Sequence, residues 1–431
     1  MTHPSTAQET PRTTHGAIEA VWRIEAARVI AGIARLVRDV GLAEELAQDA
    51  LVIALEQWPA SGVPDNPGAW LMATAKHRAI DTLRRRTRYA QKLEALARDP
   101  SLTREADEPD LDAALDDHIG DDLLRLIFTA CHPVLSTEAR VALALRLLGG
   151  LATDEIARAF LIAEPTVAQR IVRAKRTLSS KGVEFELPAP ADLPGRLSSV
   201  LEVIYLIFNE GYSATAGEDW MRPALCEEAL RLGRILAGLM PKEPEVHGLV
   251  ALMEIQASRI RARTDASGAS VLLLDQDRRL WDRLLIRRGL EVLARADALG
   301  GALGPYTLQA EIAACHARAL TPEDTDWGRI AALYRVLAHI SPSPVVELNR
   351  AVAVGMAAGP AKGLEITDTL LHERALERYA QLPAVRGDLL AKLGRHDEAR
   401  QEFERAAALT RNERERAVFL TRAAACGDAR L

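Results

Sequence analysis

The stretch from Leu151 to Leu178 constrains the fold more than any other, because it reads as two short helices joined by a tight turn. Thr153 is placed to cap the first helix, and Asp154 and Glu155 fall in its first turn, where carboxylates complement the helix dipole. Ile156, Ala157 and Phe160 supply its apolar side. Pro165 is tolerated in the first turn of the second helix, since its missing N–H would have no partner there. Val167, Ile171, Ala174 and Leu178 then recur at steps of four, three and four, one buried stripe. The opposite face carries Glu164, Ala168, Gln169, Arg173 and Arg176, with Arg170 and Lys175 beside them. A helix packed on one side and offering Gln and Arg on the other meets the demands of major-groove reading. An ordinary helical hairpin with a solvated basic face has the same pattern, so the rest of the chain must decide.

Upstream, Ile18, Val21, Trp22, Val29, Ile33, Leu36, Val37 and Val40 mark an amphipathic helix that Gly41 is expected to break. Leu46, Ala50, Leu51, Ala54, Leu55 and Trp58 mark a second, whose polar side offers Glu44, Glu45, Gln48 and Asp49. Prolines 59, 64 and 67 impose a loop. From Ala69 a third helix runs through Trp70, Leu71, Ala75, Ile80 and Leu83 and turns strongly basic. Lys76, Arg78, Arg84, Arg85, Arg86, Arg88 and Lys92 cluster there, and such a cluster repels itself unless an anion is near. Trp70 at the mouth of a polar loop, ahead of these cations, suits stacking on an exposed base; a core Trp with a solvated helix end fits equally.

Residues 93–117 are a composition break: Asp and Glu outweigh Arg98 and Arg104, and Pro100 and Pro109 interrupt any helix, which reads as an acidic extended connector. Beyond it, Leu123, Leu126, Ile127 and Ala130 open another helical unit, and Ser136 offers an N-cap for the helix of Val141, Ala142, Leu145 and Leu147.

Two DNA-facing helical units separated by an acidic connector resemble a bacterial sigma factor of the extracytoplasmic-function type over roughly residues 17–182. The resemblance implies a polymerase-binding segment at Glu44-Glu45-Leu46-Ala47-Gln48-Asp49 that docks on the clamp helices of core RNA polymerase. It implies a −10-melting segment at Ala69-Trp70-Leu71, Ala75, Asp81 and Arg84-Arg85-Arg86, with Asp65, Asn66, Lys76, His77, Arg78 and Arg88 beside it. It implies −35 reading by the helix-turn-helix of Glu155-Ile156-Ala157, Thr166-Val167 and Arg173-Ala174, with Glu164, Gln169, Arg170 and Arg176 on the DNA side. His77 stands where the family usually has Asn, Thr74 where it has an aliphatic residue, and Ala163 where it has a Ser cap, which leaves the promoter sequence open.

The expected organisation is all-α: region 2 at 17–92, the acidic connector at 93–117, region 4 at 118–187, and a helical extension at 193–431. The extension reads as successive helices, repeat-like towards its end. Asp326 to Pro342 resembles the second helix of a tetratricopeptide unit, and Gly387, Gly394, Ala399, Phe403 and Ala406 fall on the small and aromatic positions of another. Stacked helix pairs of this kind leave a groove for a partner protein or peptide. Two segments there are not explained by packing: Asn209-Glu210-Gly211-Tyr212, with Gly211 expected just past a helix end, and Val271 to Arg278, an apolar run against Asp275 and Asp277 with Trp281 close by. Either is an interdomain docking surface or a loop folded onto its own domain. The whole chain resembles those sigma factors that carry a long C-terminal helical extension thought to act in regulation.

The 431-residue chain carries a net charge of −6, so nucleic-acid binding must come from local patches. Its four cysteines, Cys131, Cys226, Cys315 and Cys426, form no CxxC pair, which suggests neither a zinc site nor a disulfide framework and fits a reducing cytosol. No triad, phosphate loop or metal-ligand spacing points to an enzyme or a cofactor. No apolar leader core or membrane-length run is present, so a cytoplasmic protein is the simplest expectation. The expectation is thus an alternative sigma factor that takes core RNA polymerase and promoter DNA as partners. A helix-turn-helix regulator with a repeat-type sensor, acting without polymerase, is the alternative; it leaves the basic helix and the acidic docking segment unexplained.

Overall fold

The computed structural model describes residues 11–97, 119–212, 221–265, 271–300, 304–410 and 412–428. Residues 98–117 of the acidic connector lie outside the described residues. The chain divides into two compact units, Met1–Val203 and Ile204–Leu431. All regular elements among the described residues are helices.

The first unit holds α1 (Pro11–Val37), α2 (Val40–Ser61), α3 (Pro67–Ala97), α4 (Ile119–Ala130), α5 (Thr137–Leu147), α6 (Thr153–Phe160) and α7 (Glu164–Ser180). α1, α2 and α3 pack on one another, and α5, α6 and α7 form a second trio. Ile18, Ile30, Ile33, Trp58 and Leu71 are fully buried in the first group; Leu143, Leu145, Val167 and Ile171 are buried in the second. The two groups are not separate bodies, for α1 also packs against α4 and α5, and α2 against α7.

Pro59 does not open the proline loop, because α2 runs through it to Ser61 and the loop is confined to residues 62–66. Three further local expectations need correction. Gly41 does not break the first helix: the chain turns at Arg38, which takes φ 52°, and Asp39 caps α2 by accepting from Leu42 N at 2.9 Å. Here a capping carboxylate, not a flexible glycine, sets the boundary. Thr153 does not cap α6; Ala152 is the N-cap, and Glu155 accepts from its N–H at 2.8 Å. The helix begins one residue earlier than the threonine reading requires, so the reaching carboxylate at the third position takes over. Ser136 caps α5 as expected, accepting from Ala139 N.

The boundary between the units falls within α8 (Leu193–Tyr212). The second unit continues with α9 (Pro223–Leu239), α10 (Pro244–Ala257), α11 (Arg283–Ala298), α12 (Pro305–Arg318), α13 (Trp327–Ile340), α14 (Pro344–Ala358), α15 (Pro360–Thr369), α16 (Gln381–Lys392), α17 (His396–Leu409) and α18 (Glu413–Asp428). From α9 onward each helix packs against the next in sequence, the order of a helical-repeat array. α13 covers the span read from Asp326 to Pro342, with Asp326 capping it through Arg329 N at 2.8 Å. Ala399, Phe403 and Ala406 are fully buried, and the Phe403 ring lies against Gly387. Small and aromatic positions therefore interlock at the seam as the repeat pattern requires.

Gly211 is the third correction near a helix end. It lies inside α8, not beyond it, and a Cβ there would come within 2.7 Å of Cys226 N and 2.9 Å of Arg222 O. Its role is to admit the backbone of α9, which no side chain allows at that distance.

Candidate nucleic-acid interface

α7 separates its two faces as the sequence pattern requires. Val167, Ile171, Ala174 and Leu178 are buried, while Glu164, Thr166, Gln169, Arg173 and Arg176 are exposed; Arg170 is half-buried. Pro165 stands in the first turn, and the N-cap Ala163 supplies no side-chain acceptor. The turn into α7 is made by Leu161, in the left-handed region at φ 50°, a conformation that costs a leucine energy and that the hydrogen bonds from Leu161 N to Arg158 O and from Ile162 N to Ala157 O hold. The leading amide groups of α7 and its side chains Gln169, Arg173 and Arg176 thus share the solvent side of a rigid two-helix frame, the arrangement in which a recognition helix enters a groove.

A second candidate surface lies on α3. Asn66 caps that helix, its Oδ1 accepting from Ala69 N at 3.1 Å, so this residue already has a structural task. Asp65 beside it is exposed. Trp70 is half-buried and meets the buried Trp58 edge-on, with centroids 5.2 Å apart and planes at 67°. The two readings of Trp70 are therefore not exclusive: part of the ring packs and part remains accessible. His77, Arg78, Arg84, Arg85, Arg86 and Arg88 are exposed and Lys76 is half-buried. Among the described residues no carboxylate forms an ion pair with these arginines. A basic stripe of this kind attracts a polyanion.

The acidic segment of α2 divides. Glu45 and Asp49 are exposed and Gln48 is half-buried, as a docking face requires. Glu44 departs from the expectation: only 3% of it is exposed, and it is ion-paired with Arg146 Nε at 2.6 Å and with Lys175. Arg146 and Lys175 stand on α5 and α7, some hundred residues away, and the local pattern carried no signal for them.

In the second unit both unexplained segments are held by arginines of the turn that follows α10. Arg263 lies 3.8 Å from the centre of the Tyr212 ring, while Arg259 and Arg278 lie 5.5 and 5.1 Å from that of Trp281. Gln276 accepts from Arg259 Nε and donates to Val271 O, and Arg278 donates to His316 O and Ala319 O at the end of α12. Tyr212 and Trp281 are 8% and 3% exposed, and the arginines stacked on them belong to their own unit. Asn209 is half-buried, and Asp277 is spent on capping the turn at Arg278–Leu280 and pairing with Arg279. Asp275 alone of the five is exposed. The loop is folded onto its own domain by stacking arginines on aromatic faces.

All four cysteines are free and buried, and burial pushes the Cys131 and Cys226 thiols up to about 12, which keeps them protonated and unreactive. Among the described residues no cluster of His, Cys, Asp or Glu has the spacing to hold a metal ion, and no helix is long and apolar enough to cross a membrane.

A helix-turn-helix with an exposed Gln/Arg face, preceded by a basic helix behind an aromatic-mouthed loop, defines a DNA-binding protein of the transcription machinery. Residues 23–89 match the family model described as Sigma-70 region 2, and residues 125–178 the model described as Sigma-70, region 4. Residues 196–297 match a family of unknown function (DUF6596). An uncharacterized protein of Rhizobium meliloti (strain 1021) is 46% identical over 397 residues, spanning 91% of this chain and 92% of the relative. The chain belongs to the sigma-70 family, as a sigma factor of the extracytoplasmic-function type with a long C-terminal helical extension. Its role is in transcription initiation.

Proposed function

We propose that the protein is an alternative sigma factor that docks on core RNA polymerase through Glu45, Gln48 and Asp49 and reads a −35 box with α7. The loop at Asp65 and Asn66, Trp70 and the basic stripe from Lys76 to Arg88 open the −10 region in this reading. The observation that carries it is the clean division of α7: four apolar side chains inside, and Gln169, Arg173 and Arg176 in solvent. An arginine aimed at a guanine edge and a glutamine at an adenine edge are the pairings that discriminate bases in the major groove. The second unit modulates this activity. Supporting that role is a groove of about 1090 Å³ lined by Val352, Met356, Val385, Leu389 and Phe419 together with the segment Val271–Asp275, of a size to accept an extended apolar peptide.

The test is run-off transcription from a library of promoter fragments with purified core polymerase, with and without the protein. Promoter-specific products should depend on it. Glu45→Lys combined with Asp49→Lys should abolish co-purification with core while the far-UV spectrum stays helical, because both side chains are exposed and contribute little to packing. A double variant that binds core like the wild type would remove this face of α2 from the interface.

A further inference from the structure

Alternate helices at the end of the repeat array each turn one stripe of side chains to the same groove. α14 contributes Val352 and Met356, α16 contributes Val385 and Leu389, and α18 contributes Val418 and Arg422. Each pair is four residues apart, and so lies on one face of its helix. The segment Val271–Asp275 completes the lining. Its base is fixed: Val271 N donates to Arg263 O at 2.8 Å, Gln276 Nε2 donates to Val271 O at 3.2 Å, and Gln276 is itself buried. Beyond these anchors Leu272 is 44% exposed, and Leu273 and Leu274 are only half-buried. Three successive leucines on the wall of an apolar groove, incompletely covered by their own domain, retain apolar surface for an occupant to bury.

The lining charges define the chemistry of that occupant. Lys392 of α16 and Arg422 of α18 both pair with one carboxylate, Asp388, the lysine at 2.8 Å. Two cations thus share one anion, and Arg414 adds a further cation to the lining. The other neighbour of Lys392 Nζ is Met356 Sδ at 3.5 Å, a weak acceptor. Arg422 stacks with its guanidinium 4.5 Å from the centre of the Phe403 ring, and among the described residues only its Nη2 donates a hydrogen bond, to Asp388. Both cations therefore keep donors for a further acceptor. Asp275, the other lining carboxylate, pairs with neither of them. We propose that the groove takes a segment of a partner protein in which a carboxylate stands beside large apolar residues. The apolar side chains pack on the leucines and on the stripes of α14, α16 and α18, and the carboxylate accepts from Lys392 and Arg422. A basic segment would set like charges together and is disfavoured. The proposal rests on the reading of the second unit as a modulating domain and supplies the chemistry of what that domain takes.

The test is selection from a random dodecapeptide library displayed on phage, against the full-length protein with neither polymerase nor promoter present. Selected sequences should carry Asp or Glu next to Leu, Ile, Phe or Met. A synthetic peptide of the selected sequence should lose about 10- to 100-fold in affinity when its acids become Asn or Gln, and as much when the protein carries Lys392→Gln, the loss expected for a charge-assisted hydrogen bond. Leu272→Asp, at an exposed position, should abolish binding while the far-UV spectrum stays helical. Basic or neutral selected sequences, no selection above background, or equal binding to Leu272→Asp would overturn the proposal. A concentration-dependent dimer that Leu272→Asp disperses would give the groove to a second copy of the chain and overturn it equally. An acidic peptide that binds as expected but leaves run-off transcription unchanged would uphold the groove chemistry and remove the modulating role instead.

Discussion

Replacing Trp70 with alanine separates packing from the proposed role in promoter opening, because the ring packs on Trp58 and is only half-buried. Its edge contact with Trp58, at 5.2 Å and 67°, is the kind worth about 0.5–1.5 kcal/mol. The ring is half-buried, which adds about half of the 1.5–3 kcal/mol that full burial of a large apolar side chain contributes. The variant should therefore lose about 2 kcal/mol of stability. For a unit of this size that is a fall of about 4–8 °C in Tm, leaving it folded at 25 °C. The accessible part of the ring, if it stacks on an unpaired base, is worth a further 1–3 kcal/mol or so in the open complex alone. That converts to a loss of about 5- to 150-fold in the ratio of open to closed complexes. Permanganate reactivity of thymines near the start site reads the open complex, and mobility shift at low temperature reads the closed one. Trp70→Phe keeps a ring and should recover much of both. If Trp70→Ala melts earlier by the expected amount while the open-to-closed ratio at 25 °C equals that of wild type, the ring is a packing residue and the stacking role is wrong.

Two further outcomes are expected. Arg173→Ala, at an exposed position of α7, should cost about 1–3 kcal/mol of discrimination at one base pair of the −35 box, or, if the side chain meets phosphate, weaken all sequences and lower the salt slope by about one; equal binding to every promoter variant would take Arg173 out of the interface. His316, packed against Trp327 at 5.2 Å, has its pKa lowered from 6.5 to about 4 by burial and by Arg259 and Arg278, so below pH 6.5 the unfolded chain takes a proton that the folded one refuses; the second unit should lose up to about 3 kcal/mol as pH falls from 6.5 to 4, and His316→Phe should flatten that slope in chemical denaturation.

What the sequence disclosed and what it hid follow from the range of the interactions. The faces of α7 were legible because a helix repeats every 3.6 residues, so Val167, Ile171, Ala174 and Leu178 announce a buried stripe without any partner being known. Asp326 and Ser136 were legible as caps for the same reason, since a cap and its target N–H lie three residues apart. Glu44 was not. On α2 it falls among polar residues, and only helices far along the chain turn that position inward. Tyr212 and Trp281 stand in segments that local packing does not explain, because the arginines that cover them come from a third segment, at Arg259 and Arg263. Gly211 misled in the opposite direction: a glycine near a helix end resembles a C′ residue, whereas this one makes room for Cys226 N, which the local sequence does not contain.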